Sequence, residues 1–155
     1  AMKLTIIAAG KVKEKWLLEG ISEYRKRLSR YCEVDLIEVA DSPDDLPREL
    51  ALTREGEKLL SRVKDSAYVW VMDLAGKMYS SEVFSEEMIR AFDKGGAELV
   101  CIIGGSNGLS SDILSRANQR ICLSPMTFTH QMTRLILLEQ CYRGFRIDRG
   151  EPYHK

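Results

Sequence analysis

Two continuous apolar runs limit what this chain can fold into more than any other feature. They are AYVWVMD at residues 67–73 and ELVCIIGG at residues 98–105. A strand that is apolar at nearly every position, rather than at alternate positions, is typical of a parallel sheet that is covered on both faces. We therefore predict an α/β fold, with a mainly parallel sheet flanked by helices.

Weaker patterns alternate regularly around these two runs. They predict further strands at residues 3–9, 33–40 and 120–124, and helices at 13–31, 48–63, about 80–92, about 110–118 and about 129–146. A turn at Leu74–Lys77 is expected to end the third strand, and DSPDDLP at residues 41–47 to form a mobile polar loop. Residues 1–155 are predicted to form one domain, and Ala1 before Met2 is interpreted as a cloning remnant.

Composition argues against several classes of protein. Apolar residues make up 45% of the chain and charged residues 30%, and no apolar run approaches the roughly 20 residues that span a bilayer. The N-terminal segment shows no secretory pattern, so a cytoplasmic protein that does not bind membranes is expected. The four cysteines have no metal-like spacing, which predicts buried free thiols and no metal site: Cys32, Cys101, Cys122 and Cys141.

The net charge is zero, which by itself argues against a nucleic-acid-binding protein, but the charges are unevenly distributed. Residues 1–31 carry eight Lys or Arg and three acidic residues, whereas residues 32–57 carry two and nine. Residues 116–155 again carry seven and three. If the two basic ends meet in space they form a positive face that attracts phosphates, and otherwise they are ordinary solvated helix surfaces.

Three turns follow strands of the predicted sheet and are the candidate ligand-binding segments, because ligands of such sheets bind at the carboxyl ends of the strands. They are Met72–Lys77, Gly104–Leu109 and Leu123–His130. The glycines of the second turn leave either a bare backbone wall for a ligand or a tight turn with positive φ angles. The sequence GGSNG lacks both the GK[ST] ending of a phosphate loop and the GxGxxG pattern, so a phosphate-anchored nucleotide is poorly supported.

The third turn combines hydroxyl groups, backbone groups and apolar side chains. Ser124 and Thr127 stand among Leu123, Met126 and Phe128, a mixture that suits an adenine-sized ring held by main-chain hydrogen bonds. The alternative is a proline-bent connection that binds nothing.

The last helix is apolar on two sides. One stripe comprises Met132, Leu135, Ile136 and Cys141, and a second comprises Leu138, Tyr142 and Phe145. A helix of this kind must be covered on both sides, which predicts the sheet on one side and a second subunit on the other. At its start, His130 either orients a reacting group or only caps the helix.

Three long segments resemble one known family. The segments LVCIIGGSNGLS, LSPMTFTHQMTRLILLEQCYR and RGEPYHK, together with MKLTIIAAGK at residue 2, are similar to the RlmH-type SPOUT methyltransferases. The resemblance covers essentially the whole chain. It departs from the pattern at Thr129, where relatives often carry proline, and a threonine can cap the helix itself.

The resemblance implies a fold and an activity. It implies a C-terminal deep trefoil knot and a homodimer packed through this knot, with each active site completed by the partner. It implies transfer of a methyl group from S-adenosylmethionine to N3 of pseudouridine 1915 of 23S ribosomal RNA in the assembled ribosome. The positions that match the cofactor loops are Met72, Leu74, Gly104, Gly105, Gly108, Leu123, Ser124, Pro125, Met126, Thr127 and Phe128.

The chemistry of that reaction points to substrate-side residues near the end of the chain. The imide nitrogen is a poor nucleophile until its proton leaves, so we expect a base or a group that stabilises the anion. Arg143, Tyr153 and His154 are the candidates, with His154 as the base, and His130 is a weaker one. Two alternatives remain, a non-catalytic ribosome-binding factor with the same fold and a flavodoxin-like nucleotide-binding domain.

Overall fold

The computed structural model describes residues 1–155, in which five strands alternate with five helices. The elements in chain order are β1 Lys3–Ala9, α1 Lys15–Leu28, β2 Glu33–Val39, α2 Arg48–Leu60, β3 Val69–Met78, α3 Ser81–Lys94, β4 Glu98–Ile103, α4 Ser111–Arg116, β5 Gln119–Cys122 and α5 His130–Asp148. The strands form one parallel sheet in the order β2-β1-β4-β3-β5. The predicted α/β fold is confirmed.

Helices cover both faces of this sheet, which explains the continuous apolar runs. One face carries α1, α3 and α5 over a large core, to which Trp70 contributes from β3. The other face carries α2 and α4, where Leu59 and Ile113 pack with Val69 and Val71. Successive residues of β3 therefore point into two different cores, and both cores require apolar side chains.

The third strand is longer than its sequence pattern predicts. The prediction that a turn at Leu74–Lys77 ends this strand is wrong, because the strand continues to Met78. Its pairing with β5 shifts between Met72 and Lys77, both of which stand opposite Ile121. The extra residues loop out of the ladder as an irregularity, within which Asp73 Oδ1 accepts the N–H of Ala75 at 3.1 Å.

The last helix lies between α1 and α3 and is buried mainly on one side. Leu138, Tyr142 and Phe145 belong to the core, as predicted for one stripe. Cys141, assigned to the other stripe, is also completely buried. The rest of that stripe is half-buried: Met132 and Leu135 pack against the core, and Ile136 is half-buried without being part of that packing.

The two basic ends of the chain meet in space, which is the condition that the sequence analysis set for a shared positive face. Glu151 accepts hydrogen bonds from the Tyr31 hydroxyl at 2.6 Å and from Arg30 at 3.0 Å. Arg146 donates to the same Tyr31 hydroxyl at 3.1 Å, and Tyr31 stacks on Phe145 with ring centroids 5.2 Å apart. The C-terminal tail is thereby fixed against the end of α1.

None of the helices combines the length and apolar character needed to cross a membrane.

Candidate functional site

A cavity of about 340 Å³ opens at the carboxyl edge of the sheet, where the three predicted turns converge. Its walls come from the irregular part of β3, the glycine turn after β4 and the segment after β5. The lining residues are Met72, Asp73, Leu74, Ile103, Gly104, Gly105, Gly108, Leu109, Leu114, Ile121, Cys122, Leu123, Ser124, Met126, Thr127, Phe128 and Thr133. The volume lies within the range of small-molecule sites.

Ten of the eleven residues predicted to bind a cofactor line this cavity, and one does not. Pro125 is exposed and lies outside the lining, so its contribution is limited to the bend of the segment. Met126 is 75% exposed and stands at the rim. The convergence of the three turns follows from the parallel sheet, since all three leave carboxyl ends of neighbouring strands.

The glycine turn is compact and needs glycine for its own geometry. Gly108 has a φ angle of 98°, and its N–H donates to the carbonyl of Gly105 at 3.1 Å. A Cβ at Gly104 would lie only 2.8 Å from the carbonyl oxygen of Gly108. The prediction that these glycines form a tight turn is therefore confirmed. The same turn also presents bare backbone to the cavity.

Local hydrogen bonds shape the third turn and join it to α5. The Ser124 hydroxyl accepts the N–H of Met126 at 3.0 Å, and the Cys122 thiol donates to the Ser124 carbonyl at 3.1 Å. Thr129 caps α5, because its hydroxyl accepts the N–H of Met132 at 3.1 Å. The Ser124 and Thr129 hydroxyl groups thus accept hydrogen bonds from backbone N–H groups. The Thr127 hydroxyl makes no hydrogen bond within the chain.

The cavity carries negative rather than positive charge. Asp73 is its one charged lining residue, and no Lys or Arg lines it. The Asp73 side chain is 14% exposed and lies 3.6 Å from Arg120 Nη1. Asp73 is paired with Arg120, which lies outside the lining, so the lining itself offers no cation to a phosphate group and suits a neutral or positively charged ligand.

Three of the four predicted catalytic residues lie together in a second cluster, at the far end of α5. Arg143 donates to Glu139 at 2.8 Å and to His154 Nδ1 at 3.0 Å. Tyr153 also donates to Glu139, at 2.7 Å, and receives a hydrogen bond from Tyr24 at 3.1 Å. We refer to Glu139, Arg143, Tyr153 and His154 as the tail cluster.

The hydrogen bonds of the tail cluster fix the protons on its members. A guanidinium group only donates, so His154 Nδ1 accepts from Arg143, and Nε2 carries the proton that is donated to Glu82. A base role for His154 therefore requires that the bond to Arg143 opens first. Burial and the hydrogen bonds with Tyr24 and Glu139 raise the pKa of Tyr153, so its hydroxyl keeps its proton at neutral pH.

Within one chain, the tail cluster and the cavity are far apart. Thr133 lines the cavity near the start of α5, and Arg143 lies ten residues later, about 15 Å farther along the helix axis. His130 belongs to neither group. It lies at the first turn of α5, close enough to Glu55 to lower the pKa of that carboxyl, which burial raises.

Among the residues that sequence reasoning missed are three acidic ones: Asp73 in the cavity lining, Glu82 beside the tail cluster and Glu55 behind the cavity. Asp73 ends an apolar strand, a position that on its own signals a binding edge in parallel sheets. Glu82 appears in the sequence only as an acidic residue in the first turn of α3, so its contact with His154, 72 residues away, leaves no local signal. Glu55 interrupts the apolar side of α2, which was a detectable anomaly.

Comparisons with known proteins give a consistent picture. Residues 2–154 match the family described as "Predicted SPOUT methyltransferase". The chain is 49% identical over 159 residues to the ribosomal RNA large subunit methyltransferase H of Clostridium acetobutylicum, covering 99% of this chain and 100% of that protein. The protein of the same name from Alkaliphilus oremlandii shows the same identity and coverage.

One comparison concerns a solved structure. A putative RNA methyltransferase of the TrmH family from Porphyromonas gingivalis aligns with 89% of this chain and 58% of its own, at 12% sequence identity and a TM-score of 0.46.

Proposed function

Because this chain belongs to the SPOUT methyltransferase family, we propose that it methylates N3 of a pseudouridine in large-subunit ribosomal RNA. The methyl donor is S-adenosylmethionine, bound in the cavity at the carboxyl edge. The observation that carries the proposal is this cavity, with backbone-rich walls and a single carboxylate. Large-subunit ribosomal RNA as the substrate follows the names of relatives that are 49% identical over their whole length, whereas N3 of a pseudouridine follows the family resemblance of the sequence motifs.

The residues that line the cavity fit this cofactor. S-adenosylmethionine is a cation at its sulfur, and the charge of Asp73 with no lining Lys or Arg is compatible with that charge. The apolar residues Leu109, Leu114 and Phe128 offer surfaces for a flat ring. A phosphate-bearing nucleotide lacks a matching cation, which disfavours the flavodoxin-like alternative. When bound, the cofactor supplies an activated methyl group on a positively charged sulfur.

The protein's own contribution is to hold the nucleobase and manage the charge on its nitrogen. Arg143 is the one permanent cation of the tail cluster, and it is suited to stabilise the anion that forms when the N3 proton leaves. Glu139 holds Arg143 and Tyr153 in place by accepting from both. His154 becomes available as a base once the substrate displaces the Arg143 bond to Nδ1.

The distance between the two clusters leads to the proposed assembly. Arg143 lies about 15 Å along α5 from Thr133 at the cavity, so we infer that a second copy brings its tail to the first copy's cavity. A homodimer packed through the C-terminal region meets this requirement, and the partly exposed residues of α5 supply apolar surface for it. The trefoil knot expected from the family resemblance belongs to the same proposal.

The basic end of the molecule is the proposed surface for ribosomal RNA. Arg30 and Arg149 both lie close to the Tyr31 ring, with guanidinium carbons 5.3 and 4.8 Å from its centroid. Arg149 has no ion pair or side-chain hydrogen bond within the chain, so its donors are available to phosphate oxygens. A dimer presents this face twice, which suits a protein of one small domain.

The deciding experiment is methyl transfer from labelled S-adenosylmethionine to ribosomes that lack the modification, with free large-subunit RNA in parallel. We expect label on ribosomes and little on free RNA, located at N3 of a pseudouridine. The Arg143→Lys variant is expected to lose at least about a hundredfold in single-turnover rate, because a lysine cannot make both bonds of the guanidinium.

The outcomes separate the alternatives. Cofactor binding without transfer to ribosomes or free RNA would point to a different RNA substrate. Absence of both binding and transfer would refute the methyltransferase proposal and favour the non-catalytic ribosome-binding factor. Full single-turnover activity of His154→Ala, with cofactor affinity intact, would show that the enzyme needs no base from His154 and relies on anion stabilisation.

A further inference from the structure

A buried carboxylate stands directly behind the glycine wall of the cavity. Glu55, in the middle of α2, is only 2% exposed although glutamate is rarely buried. It occupies the apolar stripe of the helix, one turn after Ala51 and one turn before Leu59, both buried. An apolar residue at this position would complete the core, so the carboxylate needs another explanation.

Glu55 makes one hydrogen bond, and that bond fixes the cavity wall. Its Oε1 accepts the backbone N–H of Gly105 at 3.0 Å, across 50 residues of sequence. Gly105 lines the cavity on its other side. A Cβ at position 105 would lie 2.9 Å from Glu55 Oε2 and 3.2 Å from Asp41 Oδ1, so the backbone reaches the carboxylate only because residue 105 is glycine.

Ionisable groups from two other segments and one from the same helix influence this carboxylate. Asp41, from the segment between β2 and α2, raises the pKa of Glu55 in addition to the larger effect of burial, whereas the Gly105 N–H lowers it. His130 on α5 and Lys58 on the same helix also lower the pKa of this carboxyl. Glu55 thus lies between the turn at Gly105 and the start of α5, two of the segments that shape the cavity.

We propose that Glu55 is a positioning residue for cofactor binding, which holds the Gly105 turn in its binding geometry through a charged hydrogen bond from behind. This inference rests on the proposed function, since it assigns the cavity to S-adenosylmethionine. A carboxylate is the stronger acceptor in its ionised form, so the turn is held most firmly when Glu55 is charged. Glu55 itself does not touch the cofactor.

The experiment compares binding of S-adenosylhomocysteine to four full-length proteins by calorimetry, between about pH 5.5 and 8.5. They are the wild type, Glu55→Ala, Glu55→Gln and the matched control Glu57→Ala, an exposed residue of the same helix. Glu55→Ala removes the acceptor, and we expect about tenfold weaker binding at neutral pH. Glu55→Gln keeps a neutral acceptor of the same shape, so its loss is expected to stay within about threefold.

The pH profile separates a positioning role from mere support of the fold. Wild-type affinity is expected to fall as the pH is lowered into the range in which the Glu55 carboxyl takes up its proton, and to approach that of Glu55→Gln there, because both side chains are then neutral. Asp41, His130 and Lys58 face position 55 in both proteins, so the difference between the two profiles reports the charge of the Glu55 side chain. Thermal unfolding of each variant reports whether the fold is intact, and Glu55→Gln keeps the test decisive if Glu55→Ala does not fold.

Each result has a defined meaning. Parallel pH profiles for the wild type and Glu55→Gln would overturn the inference, as would wild-type affinity in a folded Glu55→Ala protein. If the wild type itself bound neither S-adenosylhomocysteine nor S-adenosylmethionine, the proposed function would fail and this inference with it. Normal wild-type binding combined with unaffected variants would refute the role of Glu55 alone.

Discussion

Buried ionisable side chains dominate the chemistry of this molecule at the scale of single residues. All four cysteines are free and buried, as predicted from their apolar surroundings. Burial raises the pKa of Cys32 to about 12 and also raises the pKa values of Cys101 and Cys141. Thiolate is the reactive form of cysteine. These thiols are therefore unreactive for two reasons, because reagents cannot reach them and because they remain protonated.

Thiol labelling tests this protection. In the native protein at about pH 8, a maleimide reagent is expected to label well under one thiol per chain, and all four after denaturation. Cys122 lines the cavity, so any residual labelling should belong to it and should disappear in Cys122→Ser. Rapid native labelling that persists in Cys122→Ser would contradict the packing of the core.

The buried carboxylate of Glu55 makes a second prediction, for stability against pH. Burial raises its pKa in the folded protein above the unfolded value, so the folded state holds its proton to higher pH. The free energy of unfolding should therefore fall as the pH rises from the unfolded pKa, about 4.3, through the folded pKa. Urea unfolding of Glu55→Gln should lack this component and show a more stable protein at pH 8 than the wild type.

The residue scale is also where prediction from sequence reaches its limit. Trp16 fits the helical apolar pattern of α1, yet it is 57% exposed, because periodicity does not say which edge of a stripe the neighbours cover. Glu55 and Glu82 acquire their roles from partners 50 and 72 residues away. Residue type and spacing carry no information about such contacts.

At the scale of elements, the start of α5 is specified by one side chain. The Thr129 hydroxyl caps the helix, and the backbone at this residue has a φ angle of −60°, which proline also adopts. This explains how threonine can stand where relatives often carry proline. The boundary of α5 was predictable for the same reason, since a capping residue before an apolar helix is a strong local signal.

Substitutions at Thr129 test the cap. Thr129→Ala should lower the free energy of unfolding by about 1 kcal/mol, which corresponds to a melting temperature about 2–4 °C lower for a chain of this size. Thr129→Pro should recover part of this loss, because it stiffens the unfolded chain without straining the folded one. The control is Thr53→Ala, on an exposed part of α2. Equal stability of all three variants and the wild type would exclude a contribution from the cap.

The irregular part of β3 shows what element-level prediction missed. The segment after Asp73, Leu74–Lys77, is predicted from the sequence to be a turn that ends the strand. The chain does bend there, but Lys77 and Met78 return to pair with β5. The return of Lys77 and Met78 to the sheet depends on β5, a strand more than 40 residues later. A local sequence pattern therefore cannot predict this return.

At the scale of the whole molecule, the separation between the cavity and Arg143 of the tail cluster is the basis of the proposal that a partner completes each site. The five parallel strands and their order make the cavity, and α5 carries the other cluster about 15 Å away. The sequence predicted both groups of residues from motifs. Their separation within one chain became visible only in the fold, because both lie on segments that are close in sequence.

Mixed dimers test completion by the partner. One protomer carries Leu123→Trp, which fills the cavity, and the other carries Arg143→Ala, and the two are produced together with different affinity tags. Each variant alone should be inactive, whereas random pairing should restore about a quarter of wild-type activity, from the one intact combination in each mixed dimer. Inactive mixed dimers would show that each chain uses its own tail.

The strand order has a consequence for how the protein is made. β1 pairs with β2 on one side, but its other neighbour, β4, begins 95 residues after β1. The last two elements to be synthesised are β5, which pairs with β3, and α5, which covers the larger core. Nearly the whole chain must therefore be synthesised before the central ladder and the core can close, and folding is expected to be largely post-translational and slow. A truncated nascent chain would expose the apolar edge of β1, which makes premature termination a direct route to aggregation.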